Sequence, residues 1–248
     1  MPFQPERRCW LTAAWLERYW LHPTAAANFC AVATVTTTLV SSASAVQAVI
    51  PLSLLEAMRN LDTPIDDGLS ELAEDLVAKR LGLSHTVAVQ IERYREAATR
   101  DDLVSLEEAV SVFRLVSRRP DAELIFSDAG RRTARYATRA ASASLRAMLR
   151  ASPGGIRRRF GLRAAARIAR RVLGAEFVPH GVLAEARLGD SLAIRAGVPG
   201  PGCYFYGAAF AELLRLLCGF EGAMLHERCL AAGDPGCSWR ATTVEGYE

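Results

Sequence analysis

The sequence predicts an α+β protein, with a helical N-terminal half packed on a small antiparallel sheet. Two observations carry this. Between about residues 66 and 172 apolar residues recur at helical spacing between stop signals, whereas beyond Gly174 they fall in short runs split by Gly, Pro and Asp. The order is helices, strand pair, helix, strand pair. Helices and strands are thus segregated rather than alternating, which marks α+β over a parallel α/β sheet.

Residues 1–50 read as a poorly structured or weakly packed extension, and 51–248 as a single domain. From Leu21 to Leu55 there is no Asp, Glu, Lys or Arg. The run Phe29–Val40 raises a membrane question, but Ala, Thr and Ser insert poorly, so no stable membrane span is expected. As a secretion signal the segment is also poor, because a long region with Glu6, Glu17 and three tryptophans precedes it. Trp10-Leu11, Ala14-Trp15-Leu16 and Tyr19-Trp20 together have helical spacing and could dock on the domain.

The helices follow in order. Asp66-Asp67 caps one that runs to about Arg80, with Leu69, Leu72, Leu76 and Val77 on one face and Gly82 as the stop. His85–Val89 begins another element. Asp101-Asp102 opens a helix from Leu103 to Ser117, ended by Pro120. A long helix is expected from Glu123 to Arg150, stopped by Ser152-Pro153-Gly154-Gly155, and another from Ile156 to Val172, closed by Gly174. The period then changes. Val182–Leu188 and Leu192–Ala196 flank Gly189-Asp190-Ser191 as a hairpin. Pro199-Gly200-Pro201-Gly202 breaks it, Cys203 opens a helix to about Leu217, and Ala223–Arg228 and Ser238–Thr243 form two strands around a Gly-Asp-Pro-Gly turn.

The last segment carries the strongest chemical pattern, Cys203-x22-His226-x2-Cys229-x7-Cys237. Three thiols and an imidazole suit a tetrahedral Zn²⁺, and four protein ligands make a closed, structural site. Glu227 competes with His226 if the register slips by one. Cysteines packed as small hydrophobes, or a redox pair, are the alternatives, although the chain has no CxxC. Cys218 reads as core, and Cys9 and Cys30 have no partner at ligand spacing.

Thirteen arginines and no carboxylate lie between Arg131 and Arg171. Arg131, Arg135 and Arg139 form one helical stripe, and Arg159, Arg163 and Arg167 another. Such stripes attract anions or are simply solvated. The net charge of +3 is modest and aromatic interleaving is scarce, so no nucleic-acid partner is expected. Thiolate-based metal binding favours a reducing compartment, and the expected location is cytoplasmic.

Two segments resemble the 4-vinyl-reductase domain family. Gly207–Leu214 followed by His226–Trp239 is similar to the end of that domain, and Asp128-Ala129-Gly130-Arg131-Arg132-Thr133-Ala134-Arg135-Tyr136 is similar to a stretch of its J-type bacteriochlorophyll 4-vinyl reductases. The resemblance covers roughly residues 50–242. It implies a fold related to the small subunits of the TRAPP trafficking complex. It also implies zinc on Cys203, Cys229, Cys237 and the residue at 226, where an acidic ligand is usual and this chain has His. By function it implies a bacteriochlorophyll-biosynthesis protein that binds a tetrapyrrole intermediate, of the divinyl chlorophyllide or protoporphyrin type, and assists its vinyl reduction or delivery. Contacts with other pigment-biosynthesis enzymes and a homodimer are open.

The residues themselves argue for a binder. No strand–GxGxxG–helix unit and no iron–sulfur pattern is present, so whether the chain is an enzyme stays open. The expected pocket lies between the sheet and the helix after Cys203, lined by Phe177, Tyr204, Tyr206, Phe210 and Trp239, with Arg131 or Arg132 on a ligand carboxylate. His180 is a chlorin-magnesium ligand, a pocket hydrogen-bonder or a plain loop histidine. A sensor module for an aromatic or lipid ligand, and a scaffold subunit without ligand, are the competing readings.

Overall fold

A computed structural model of the chain describes residues 45–63, 83–141, 143–180 and 183–243. The chain divides into two compact units, Met1–Ala43 and Ser44–Glu248, and only the second is described. The tryptophan-rich segment, Cys9, Cys30 and the helix expected at 66–80 lie outside the described residues.

Strand β1 (Ala45–Gln47) leads into helix α1 (Val49–Asp62), so the boundary expected at residue 50 falls inside folded structure. Ile50, Leu52, Leu54 and Leu55 are all buried there. Helix α2 (His85–Thr99) starts at Ser84, whose hydroxyl accepts from the Val87 amide. The segment after it departs from expectation. Leu103–Ser105 is strand β2, antiparallel to β1, and helix α3 (Leu106–Ser117) is capped by Ser105 rather than by Asp101-Asp102. Asp101 holds a positive φ of 60° and turns the chain instead.

The long helix expected after Pro120 is two helices, α4 (Ala122–Ala140) and α5 (Ala143–Ala151), because Ala141 takes an extended conformation. Helix α6 (Gly154–Ile168) follows, then a π-helical turn over Ala169–Leu173 that ends on left-handed Gly174. The four-stranded antiparallel sheet has the order β3-β4-β6-β5, from Glu176–His180, Leu183–Leu188, Cys237–Thr242 and Ala223–Arg228. The expected hairpin around Gly189-Asp190-Ser191 is displaced. β4 pairs backwards with β3, and Leu192–Arg195 is a short helix, α7, capped by Ser191. Leu192 and Ala193 are both buried, a pattern that one helical turn satisfies and an alternating strand does not.

Helix α8 (Pro201–Cys218) is the central element. Phe205, Tyr206, Phe210, Leu213, Leu214 and Leu217 are buried along it. Two glycines let other helices approach its backbone. A Cβ on Gly130 of α4 would stand 2.1 Å from the Phe205 carbonyl oxygen, and one on Gly161 of α6 would stand 2.3 Å from that of Leu217. Between α4 and α8 the buried Glu212 carboxylate accepts from Arg135 Nε at 2.8 Å and from Arg215 Nε at 2.7 Å. The Arg215 and Arg135 guanidiniums hold its carboxyl down at about 2, against the pull of burial. The described residues are mostly helical with two small antiparallel sheets, an α+β arrangement. No described helix is long and apolar enough to cross a membrane.

Candidate functional site

The structure gathers the four residues of the C-terminal pattern. Cys203 stands in the first turn of α8, His226 near the end of β5, Cys229 just beyond it, and Cys237 at the start of β6. Three elements distant in sequence thus meet, and the donor atoms all lie within 4.8 Å of one another. The loop between the cysteines is shaped for this. The Cys229 amide donates to Asp234 Oδ2 at 2.8 Å, and Gly233 takes φ 92°. The Leu230 amide donates to Cys237 Sγ at 3.4 Å, a contact that favours a thiolate. His226 lies flat on Trp239, ring centroids 4.7 Å apart and 13° from parallel. That stacking fixes the imidazole plane.

Glu227, the competing donor, turns away and pairs with Arg240. The β5–β6 register breaks between His226 and Arg228, and there His226 joins the cysteines while Glu227 does not. Burial pushes the Cys203 thiol up to about 12, with the neighbouring Cys229 and Cys237 adding to the rise, and raises Cys237 too. Three thiols so close are costly as free thiolates, and a divalent cation among them reverses that balance. Sulfurs around a tetrahedral ion at about 2.3 Å sit roughly 3.8 Å apart. The present cluster needs only a contraction of an ångström or so to hold one. The group can bind a metal ion through Cys203, His226, Cys229 and Cys237, all four positions being protein donors.

The aromatic residues expected to line a pocket do something else. Tyr206, Phe210 and Trp239 are 2 %, 0 % and 1 % exposed and pack on one another at centroid distances of 5.3–6.2 Å. Half-buried Phe177 makes an edge contact with Phe210 at 5.5 Å, and the Tyr206 hydroxyl accepts from the Leu192 amide. They fill the core beneath the sheet. Tyr204 is exposed on the outer side of α8. His180 ends β3 opposite Leu183, and its side chain lies outside the described residues. Arg131 is exposed and stands 4.0 Å from Asp128, while Arg132 Nε donates to Asp128 Oδ2 at 2.7 Å. Both therefore have a carboxylate partner within their own helix.

The opening lies on the other side of the helical layer. A cavity of about 790 Å³ sits between α1, α2, α4 and α6. Val49, Leu52, Ala137, Ala164, Ile168 and Val172 form its apolar wall. Its polar lining includes Arg95, Arg139, Arg167 and Arg171, with Tyr136 and a single carboxylate, Asp101. Arg171 pairs with Asp101, and Arg95 Nη2 donates to Glu56 at 3.0 Å. The Tyr136 hydroxyl donates to the other Glu56 oxygen at 2.8 Å. Arg139 and Arg167 have no ion-pair partner among the described residues. Two cations without a described counter-charge therefore stand at the edge of an apolar space.

Arg139 and Arg167 were legible only as members of the two stripes, with nothing to tell them from their neighbours. The small residues at Ala137, Ala140 and Ala164, which leave the space open, carry no signal of their own. The segment Asp128–Tyr136 reaches the cavity through Tyr136. No family model, no curated protein and no solved structure is found to match the chain.

Proposed function

We propose that this chain is a zinc-stapled binding domain that takes a carboxylate-bearing, largely apolar ligand in the arginine-rimmed cavity. The ligand we favour is a tetrapyrrole intermediate of bacteriochlorophyll synthesis, held for vinyl reduction or delivery in the cytoplasm. The observation that carries this reading is the pairing of an apolar wall with the guanidiniums of Arg139 and Arg167, which have no ion-pair partner among the described residues. Pockets that enclose such molecules measure roughly 300–1,000 Å³, and a propionate on an apolar ring system needs this combination of wall and cation. The resemblance of Asp128–Tyr136 to the pigment-pathway family favours a tetrapyrrole over other amphipathic acids. It also places the 4-vinyl-reductase type of fold as our reading of the architecture.

The metal is proposed to be Zn²⁺ with a structural role. Three thiolates and an imidazole around one ion leave no open coordination position for substrate. Cys203, His226, Cys229 and Cys237 would tie α8 to the edge hairpin of the sheet, and the cavity is built by other elements.

The test is a titration of purified protein with divinyl and monovinyl chlorophyllide, followed by pigment absorption and tryptophan fluorescence, without and then with NADPH. Saturable binding without turnover is expected. The double change Arg139→Gln/Arg167→Gln should weaken it by about tenfold or more, since one charge-assisted contact contributes about 1.5–3 kcal/mol. Turnover by the protein alone would overturn the binder reading. No spectral response to either pigment would replace it with the sensor reading, for a colourless hydrophobic acid in the same cavity.

A further inference from the structure

Helix α6 presents an outward stripe of which only Arg167 reaches the cavity. Ile156, Phe160, Arg163 and Arg167 follow one another at three- and four-residue steps, Arg159 stands four before Arg163, and all five are exposed. Gly161 and Ala165, on the opposite side, and Ala164 beside the stripe are the buried residues of the helix. Ile156 is 50 % and Phe160 43 % exposed, and Met148 of the preceding α5 is 44 % exposed. Arg163 lies 5.8 Å over the Phe160 ring. Among the described residues Arg159, Arg163 and Arg167 have no acidic partner, and the sequence supplies no carboxylate anywhere from Arg131 to Arg171.

We propose that this face of α6, with the α5–α6 corner, docks on an anionic lipid surface. Exposed apolar side chains between cations, with no carboxylate to repel the surface, are the composition of a helix that lies in the bilayer interface. Arg159 and Arg163 meet the lipid phosphates, while Ile156, Phe160 and Met148 enter the boundary between headgroups and acyl chains. A protein partner with an acidic face would need its own apolar groove for Phe160. Nucleic acid would leave Ile156 and Met148 without a role, because base recognition on single strands rests on aromatic stacking. Arg167 belongs both to this stripe and to the cavity rim. A docked helix would therefore hold the cavity edge near the bilayer, where an apolar ligand is exchanged. The inference stands on the α6 surface alone and survives if the pigment reading fails.

The experiment uses the full chain with vesicles of pure phosphatidylcholine and of phosphatidylcholine containing phosphatidylglycerol, read by co-sedimentation. Binding to the anionic vesicles, falling with salt, and much weaker binding to the neutral ones are expected. Each basic side chain near such a surface is worth roughly fivefold in affinity. Arg159→Gln/Arg163→Gln should thus reduce binding by about 20-fold, and Phe160→Ser by several-fold, while circular dichroism and bound metal stay as in the parent. Equal binding to neutral vesicles overturns the proposal. So does anionic binding that is unchanged in both variants, which would assign it to the uncharged stretch ahead of residue 45. Binding to oligonucleotides but not to vesicles overturns it as well.

Discussion

Glu212 joins the two halves of the domain, since α4 contributes to the cavity and α8 carries Cys203 of the Cys/His cluster. Its side chain is 4 % exposed and takes hydrogen bonds from Arg135 and Arg215. Glu212→Gln keeps the shape and removes the charge. The carboxyl is held at about 2 instead of its usual 4.5, which corresponds at most to about 3 kcal/mol of stability. The two guanidiniums are 45 % and 52 % exposed, so solvent screens the pair and a loss of about 1–2 kcal/mol is expected at pH 7. The folded-state value is depressed, so the contribution is complete above the unfolded value near 4.5. It fades as pH falls toward 2. Urea unfolding of parent and variant at pH 7, 5, 4 and 3 reads it directly, because acid effects shared by both proteins, including metal loss, cancel in the difference. A gap of 1–2 kcal/mol at pH 7 and 5 that narrows by pH 3 is the expected result. A gap that is absent at pH 7, or that is the same at pH 7 and pH 3, would refute the reasoning.

Three other outcomes are expected. Cys229→Ser should abolish stoichiometric metal and leave the protein insoluble or partly unfolded, because metal binding at such a site is coupled to folding; zinc analysis of reduced, unchelated parent protein should return one ion per chain. Gly130→Ala should lower the urea midpoint by an amount equivalent to about 1–3 kcal/mol, since the new methyl would press on the Phe205 carbonyl oxygen at 2.1 Å and two helices must part. Deleting residues 1–43 should leave the thermal midpoint nearly unchanged, whereas deleting 1–50 should lower it sharply, because Ala48, Val49 and Ile50 are 0 %, 8 % and 2 % exposed.

Sequence reasoning reached the Cys203, His226, Cys229 and Cys237 cluster because ligand chemistry is local in type even when the residues are far apart. Three cysteines and a histidine around a Gly-Asp-Pro-Gly turn have few other uses. It reached the last helix and both C-terminal strands because Gly200, Gly219 and Gly233 punctuate them at positive φ. It misplaced the hairpin because Gly189-Asp190-Ser191 makes a good turn and an equally good helix start, and Ser191 is used as the latter. It read one helix across Ala141 because Ala-Ala-Ser-Ala-Ser contains no breaker, so only tertiary packing could end α4 there.

The pocket is the most instructive displacement. Large aromatics near a recognisable motif suggest a lining, but the same residues are what a small sheet needs to pack on a single helix. Ala184, Ala186, Ala193 and Ala241 surround that layer and are all at most 2 % exposed. With so many alanines there, Tyr206, Phe210 and Trp239 must supply the volume, and no space is left for a guest between them. Around the cavity the balance is reversed. Ala98, Ala137, Ala140, Ala141 and Ala164 line it without a Phe or Trp to fill the middle, and the long residues at its edge are arginines, whose charged ends stay in water. An apolar space arises where small residues meet side chains that cannot be buried. In this chain that condition is met between α1, α2, α4 and α6, and the arginines that keep the space open are the groups that would hold an acid at its mouth.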